Sequence, residues 1–376
     1  MPRMMGETNN PAHDYARRLD RASETAASHG LDGLIVGVGP DLEFLVGYAA
    51  PALERLTALV VRPGSAPALI VPELERPRAL EAPGAGLVEM VSWVDGDDPY
   101  ERAVKLLGAS AAQVAAGNQL WAAHLLALQS RLPETAFEVA APVLAELRAV
   151  KDAGEIVFLS RAGAAADAAF GDIVAEGLGG RTEWDVGASL GAHLVERGHE
   201  TADFTIVASG PNGASPHHEP GDRTIQTGDV VVLDFGGRLG GYCSDITRTV
   251  SVGEPSDETR TVHRVVREAQ QAAFEAVGTG VTGEEADRAA REVIERAGYG
   301  EAFVHRTGHG IGLDVHEEPY LVSGNDRPLV RGNCFSIEPG IYLEGRFGVR
   351  IEDIVAITDD GPRRLNEATR ELLIVD

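Results

Sequence analysis

The chain of 376 residues carries 33 Lys and Arg against 58 Asp and Glu, a formal net charge of −25. That balance argues against a binder of phosphate backbones, which needs clustered cations, and against anionic membrane surfaces. With 44% apolar and 24% charged residues, the composition is that of an ordinary globular protein, long enough for two domains. The acidity serves solubility first, with some carboxylates available as metal ligands. Cys243 and Cys334 are the only cysteines and form no CxxC pair, so free thiols in a reducing compartment are expected. The N-terminal stretch MPRMMGETNNPAHDYARR has no apolar core of a signal peptide. No run approaches the roughly 18 apolar residues of a membrane span. A cytoplasmic protein is expected.

In chain order, YARRLDRASETAASHG predicts a helix closed by Gly30, a C-cap glycine. LDGLIVGV, LTALVV and APALIV predict buried strands, and AVKLLGAS, LLALQSRL and APVLAELRAV predict helices. Residues 1–150 thus read as an α/β domain without visible chemistry. Beyond Val150, Lys151 and Asp152 a long helical pattern begins near Ala153, opening a second domain over 151–376.

That second domain contains a weak internal repeat. Each copy has Ala-Ala-Phe on a first helix, ending at Phe170 and Phe274. A threonine then opens a second helix, with an acidic residue three positions on: Thr182 with Asp185, and Thr282 with Glu285. The latter fits a capping box and the former is a looser version. Each second helix stops at a glycine, Gly198 or Gly298. DFTIVAS and DVVVLDF follow the first copy, AFVHRTG and CFSIEPGIY the second, all strand-like. Two helical hairpins, each feeding half a sheet, predict an α+β domain with a pseudo-twofold axis; two chance amphipathic pairs are the alternative.

The chemistry sits after the strands. VVVLDF is read as a buried strand ending on Asp234, GGRLGG as a reversal, and YCSDITRTV as the returning strand bearing Asp245. Two carboxylates side by side in an apolar sheet require a proton or a cation between them, unless both face water at strand ends. FVHRTGHGIGLDVHEEPY adds His305, His309 and His316. FSIEPGIY places Glu338 at the end of an apolar strand, and GVRIEDIVAI places Glu352 inside another, with Arg350 on the same face. Two Asp, two Glu and one His form an oxygen-rich set suited to two divalent ions. Their four negative charges match those ions.

The ordered strings DFGG…SDITRT, GHGIGLDVHE, SIEPGIY and VRIED resemble the pita-bread metallopeptidases: aminopeptidase P, prolidase and methionine aminopeptidase. The likeness is strong over about residues 153–376. Through GLDGLIV and FLVGY, the first domain more loosely resembles the creatinase-type N-terminal domain. The resemblance implies an α/β creatinase-like domain followed by a pita-bread catalytic domain. It implies that Asp234 chelates one metal, that Asp245 and Glu352 bridge both, and that His309 and Glu338 bind the second. His217 matches a histidine near the scissile bond and His316 a second catalytic histidine. Tyr342 and Arg350 match supporting residues. His305 matches a pocket-lining position, though a satisfied core histidine is nearly as good a reading; His218 has no counterpart. Two cations would make a bridging water acidic enough to supply hydroxide at neutral pH, with Glu338 as proton shuttle. An oxygen-rich set with one histidine favours Mn²⁺, with Co²⁺ or Zn²⁺ as alternatives.

The creatinase-like domain favours the Xaa-Pro branch, since methionine aminopeptidases typically lack it. Small peptides with Pro at the second position are then the substrates, and a homodimer the expected assembly. Within that branch the compact length leans to a dipeptidase, with aminopeptidase P acting on longer peptides as the alternative. A dipeptidase needs a cation for the proline carboxylate, and neither Arg327 nor Arg331 aligns with it. A metal-free creatinase-like hydrolase and a non-catalytic binder both conflict with five retained ligands. GASLG, from Gly187 to Gly191, fits a nucleophile-elbow pattern, but it lies in a helical stretch without the required strand; Ser189 reads as a packing residue.

Overall fold

Alternation of β-branched strands with short amphipathic helices governs the first part of the computed structural model, which describes residues 14–376. The signal-peptide reading rests mostly on residues outside that range. The described residues divide into two compact units, one ending at Arg148 and the other running from Ala149 to Asp376.

In the first unit α1 (Tyr15–Ser28) leads through Gly30, with φ 73°, to β1 (Gly33–Gly37). α2 (Pro40–Val46), β2 (Ala58–Val61), β3 (Ala68–Pro72), α3 (Arg76–Leu80) and β4 (Glu89–Trp93) follow. α4 (Pro99–Leu107), β5 (Gln113–Ala116), α5 (Ala122–Arg131), β6 (Ala136–Val139) and α6 (Ala141–Ala149) complete the unit. One mixed sheet results, in the order β4-β3-β2-β1-β5-β6. The LIV- and ALV-type strands are buried end to end, as expected of strands with both faces covered.

The second unit is built twice over. Asp152 caps α7 (Ala153–Glu176) in a full capping box with Glu155. α8 (Glu183–Glu196) follows, and then β7 (Thr201–Ser209), β8 (Val230–Leu239), β9 (Tyr242–Cys243) and β10 (Ile246–Val252). The second copy opens with α9 (Asp257–Ala276) and α10 (Gly283–Arg296). Its strands are β11 (Gly308–Gly310), β12 (Glu317–Leu321), β13 (Cys334–Ile337), β14 (Gly340–Leu343), β15 (Phe347–Arg350), β16 (Asp353–Thr358) and β17 (Gly361–Arg364). β18 (Leu373–Val375) returns to pair with β10.

The two second helices match residue for residue. Thr182 and Thr282 both cap with closed boxes, and Val186, Leu190 and Leu194 are buried where Ala286, Ala290 and Ile294 are. The first box is the looser one: Asp185 reaches the Thr182 amide at 3.4 Å, against 2.9 Å for Glu285 and Thr282. Single bridges Thr182–Thr224 and Thr282–Pro328 repeat as well. Each helical hairpin covers its own sheet with a separate apolar core, one around Phe235 and Ile246, the other around Phe335 and Val355.

Several local expectations need correction. β8 does not stop at Asp234 but runs to Leu239, because Gly236 and Gly237 keep pairing with β7; the reversal falls at Gly240–Gly241, with φ of 62° and 81°. AFVHRTG is not a strand: Arg291 on α10 donates to the carbonyls of Phe303 and His305 and holds the segment as a loop. Glu352 is not inside a strand. Arg350 pairs with Gly340 of β14 and Asp353 with Ile337 of β13, so the chain changes partners between them.

Candidate metal centre and its cavity

Asp234 lies mid-strand on β8, opposite Thr247 of β10 and Ile206 of β7. Asp245, expected on the returning strand, instead sits in the break between β9 and β10. That break crosses close to β8: a Cβ on Gly236 would stand 2.1 Å from the Ser244 carbonyl oxygen, so only glycine admits the approach. His309 is centred on β11 between Gly308 and Gly310, where a Cβ would meet the Ser336 and Glu318 carbonyls at 1.9 and 2.3 Å. Glu338 follows β13, its amide donating to the Thr307 carbonyl at 2.8 Å. At the change of partners Glu352 bridges across to Thr247, its amide donating to that carbonyl at 3.1 Å. Arg248 closes the same junction, donating to the Glu352 carbonyl at 2.5 Å and to Asp353 at 2.6 Å.

These elements converge. Ligand atoms of Asp245, His309 and Glu352 all lie within 4.8 Å of one another. His309 Nε2 stands 3.2 Å from Glu338 Oε1, 3.7 Å from Asp245 Oδ2 and 4.0 Å from Glu352 Oε1. Its Nδ1 is 3.2 Å from the Gly310 carbonyl, which favours the tautomer that leaves the Nε2 lone pair facing the carboxylates. Asp234 completes the lining of the same cavity, of about 640 Å³.

The charges there are unbalanced. Burial and then the neighbouring Asp234 push the Asp245 carboxyl well above its usual range. Glu352 is pushed up likewise, by burial and then by Asp245. Burial opposes ionisation of Glu338 too, yet the hydrogen bond and charge of His309 hold it at about 2. His309 is raised, because Glu338 and Asp245 outweigh the burial that disfavours its cation. Two buried oxygens, Asp234 Oδ1 and Glu352 Oε1, have no hydrogen-bond partner. An orphaned carboxylate oxygen in a buried site is costly. Four carboxylates, one correctly oriented imidazole and two orphaned oxygens fit divalent metal ions.

Around this cluster, Arg350 donates to Asp234, and at 3.1 Å to Thr247 Oγ1, which itself donates to Glu352 at 2.7 Å. Arg350 also reaches the Tyr342 hydroxyl at 2.8 Å, and that hydroxyl is 2.8 Å from His305 Nε2. His305 is therefore tied into the chain of support. His217 and His316 line the cavity, and the His316 ring packs edge-on against His309 at 4.1 Å. Burial and then repulsion by His309 lower His316 to about 4. The residues expected from the sequence as metal ligands, catalytic groups or their supports thus all border the cavity except Tyr342, which meets it through His305 and Arg350.

The sequence left several neighbours unmarked. Arg306 lines the cavity, stacks over Tyr320 at 4.5 Å, and has no acidic partner among the described residues. Lys151, buried, pairs with the partly buried Glu317, beside His316, at 2.6 Å. Thr247 was visible inside SDITRT, but its bond to Glu352 spans the repeat and has no short-range signal. Arg327 and Arg331 are exposed and away from the cavity, Arg331 pairing with Asp359 at 3.0 Å. Ser189 lies within α8 and accepts from Arg181 at 2.6 Å.

The profile of metallopeptidase family M24 matches residues 158–359, and that of the creatinase/prolidase N-terminal domain matches residues 18–150. The chain belongs to metallopeptidase family M24, with a creatinase-type N-terminal domain preceding a pita-bread catalytic domain. It is 47% identical to the probable dipeptidase PepE of Mycobacterium tuberculosis, over 99% of each chain. It is 38% identical to an Xaa-Pro dipeptidase of Lactobacillus helveticus, over 89% of this chain and 92% of that one. Among solved structures, a prolidase from Thermococcus sibiricus superposes with TM-score 0.92 at 38% identity, covering 97% of this chain and all of the other. No helix among the described residues is long and apolar enough to cross a membrane.

Proposed function

We propose that this chain is a two-metal exopeptidase that cleaves Xaa-Pro bonds, with dipeptides as preferred substrates. The reading rests chiefly on the convergence of Asp234, Asp245, His309, Glu338 and Glu352 on one cavity. Relatives named as Xaa-Pro dipeptidases and prolidases support it. Asp234, Asp245 and Glu352 with His309 and Glu338 would hold two divalent ions, Mn²⁺ by preference for an oxygen-rich set. Such ions supply Lewis acidity and a water acidified to near-neutral pKa.

The protein's own groups do the rest. Glu338 is the most accessible of the four carboxylates, its side chain 15% exposed against 12% for Asp234, 5% for Asp245 and 3% for Glu352. That position supports its role as the group that takes a proton and hands it to the departing amine. His217 and His316 would hydrogen-bond the substrate carbonyl as its oxygen gains charge. Arg350, bonded to Asp234, Thr247 and Tyr342, fixes the carboxylates rather than touching substrate. Arg306 is the cavity arginine without a carboxylate partner; it would meet the C-terminal carboxylate of a dipeptide, an anion displaced by one or more residues in a longer peptide. That favours the dipeptidase over aminopeptidase P.

In the same reading residues 1–150 form the creatinase-like domain and 151–376 the catalytic domain, of a cytoplasmic homodimer. Initial rates on Ala-Pro, Ala-Pro-Ala and Ala-Ala by Mn²⁺-loaded protein test the proposal. Ala-Pro should be cleaved fastest and Ala-Ala slowest. Equal rates on Ala-Ala and Ala-Pro would remove the proline requirement, and a faster Ala-Pro-Ala would replace the dipeptidase by the aminopeptidase.

A further inference from the structure

Glu183 is the first residue of α8 and is fully buried, an unusual place for a carboxylate. Its oxygens take bonds from four separate residues. Oε1 accepts from the Ser209 amide at 2.8 Å, the Ser209 hydroxyl at 2.6 Å and Asn212 Nδ2 at 3.0 Å. Oε2 accepts from Asn212 at 3.1 Å, from His218 Nε2 at 2.8 Å and from the Gly221 amide at 3.3 Å. The backbone adds to the hold, the Glu183 and Trp184 amides donating to the Arg223 and Gly221 carbonyls at 3.0 and 3.1 Å. Burial would raise the Glu183 carboxyl, yet these bonds hold it below its ordinary value.

All four partners belong to one segment, 209–221, that turns from the end of β7 past the cavity. Pro216 and His217 line the cavity from within it. From the other side, Arg350 donates to the Pro216 carbonyl at 3.3 Å. His217 is exposed and makes no side-chain hydrogen bond among the described residues, so no hydrogen bond of its own fixes its ring. His218, the next residue, is tied to Glu183. The histidine without a counterpart in the sequence pattern is thus the tether of the one beside it.

The internal repeat supplies a comparison within the molecule. In the second copy the residue at this position is Gly283, and α10 starts from the same capping box without any carboxylate there. Helix formation does not require Glu183; the first copy carries it and has the histidine-bearing segment against it. We infer that Glu183, acting through Ser209, Asn212, His218 and Gly221, is the positioning residue that aims His217 at the substrate. This rests on the reading of the cavity as a peptidase site.

The test combines a double-mutant cycle with hydrogen exchange, using full-length Mn²⁺-loaded protein. Glu183→Gln retains the shape but puts an amide donor where donors already point, and His218→Ala removes a single arm at a half-buried position should the first variant not fold. Each should lower kcat on Ala-Pro by about 10- to 100-fold, the scale of an ångström-level misplacement, with KM changed less than about threefold. Placed on His217→Ala, either change should cost less than about twofold more, because both act through one side chain. Amides of 210–221 should exchange about tenfold faster while those of the core strands do not. Unchanged exchange in that segment, or an effect that multiplies fully with His217→Ala, overturns the inference. A wild-type protein that leaves Ala-Pro intact sinks the Xaa-Pro reading alone; the exchange result still decides the clamp, and the cycle moves to whichever peptide is cleaved.

Discussion

Arg306 and Arg350 both line the cavity, in opposite surroundings. Arg350 is almost fully buried and spends its donors on Asp234, Thr247, Tyr342 and Pro216. Arg306 is partly exposed and meets only an aromatic face, Tyr320. If it receives the dipeptide carboxylate, Arg306→Ala should raise KM for Ala-Pro about tenfold, the worth of one charge-assisted contact in a partly wet site. KM for a peptide with a blocked C-terminal carboxyl should not move. Steady-state kinetics on the two substrates checks this, and equal changes would remove Arg306 from substrate selection. At this scale the residues that converge on the cavity were legible because each sits in a short string of distinctive neighbours, such as GHGIG or SIEPG. Glu183 was not, because the residues that explain it lie 26 to 38 positions away and a helix-start glutamate is ordinary by itself.

At the scale of elements, the site depends on strands that approach more closely than side chains permit. β11 holds only three residues, and its two glycines let His309 ride between β12 and β13. Gly308→Ala would force a methyl group into the Ser336 carbonyl, a backbone atom at 1.9 Å from the required position. A loss of about 1–3 kcal/mol is expected from such overpacking, read as a lower midpoint in denaturant, together with weaker metal binding through displaced His309. A midpoint and metal affinity equal to wild type would show that β11 has slack. Helices of the catalytic unit were legible from capping residues and the spacing of apolar positions, down to the looser first box at Thr182. Strand ends were not. β8 passes through Gly236–Gly237 because β7 offers partners there, and the chain breaks at Glu352 because Arg350 and Asp353 answer to different strands. Both outcomes are tertiary, and a glycine-rich string reads equally as a turn or as a place of close approach.

Across the whole molecule, the pseudo-twofold repeat explains why candidate ligands distant in sequence come together. The first copy delivers Asp234 and Asp245, the second His309, Glu338 and Glu352, and the Thr247–Glu352 bridge with Arg248 joins them. Each copy alone carries only part of the candidate ligand set beside its own apolar core. Within the cavity the buried carboxylates outnumber the one buried arginine bonded to them, Arg350. The most direct test is therefore metal stoichiometry: chelator-stripped protein titrated with Mn²⁺ by calorimetry, with Glu352→Gln alongside. Two ions per chain, falling to one or fewer in the variant, is the expected result. Binding of no Mn²⁺, Co²⁺ or Zn²⁺ by the wild-type protein would contradict the account built on Asp234, Asp245, His309, Glu338 and Glu352.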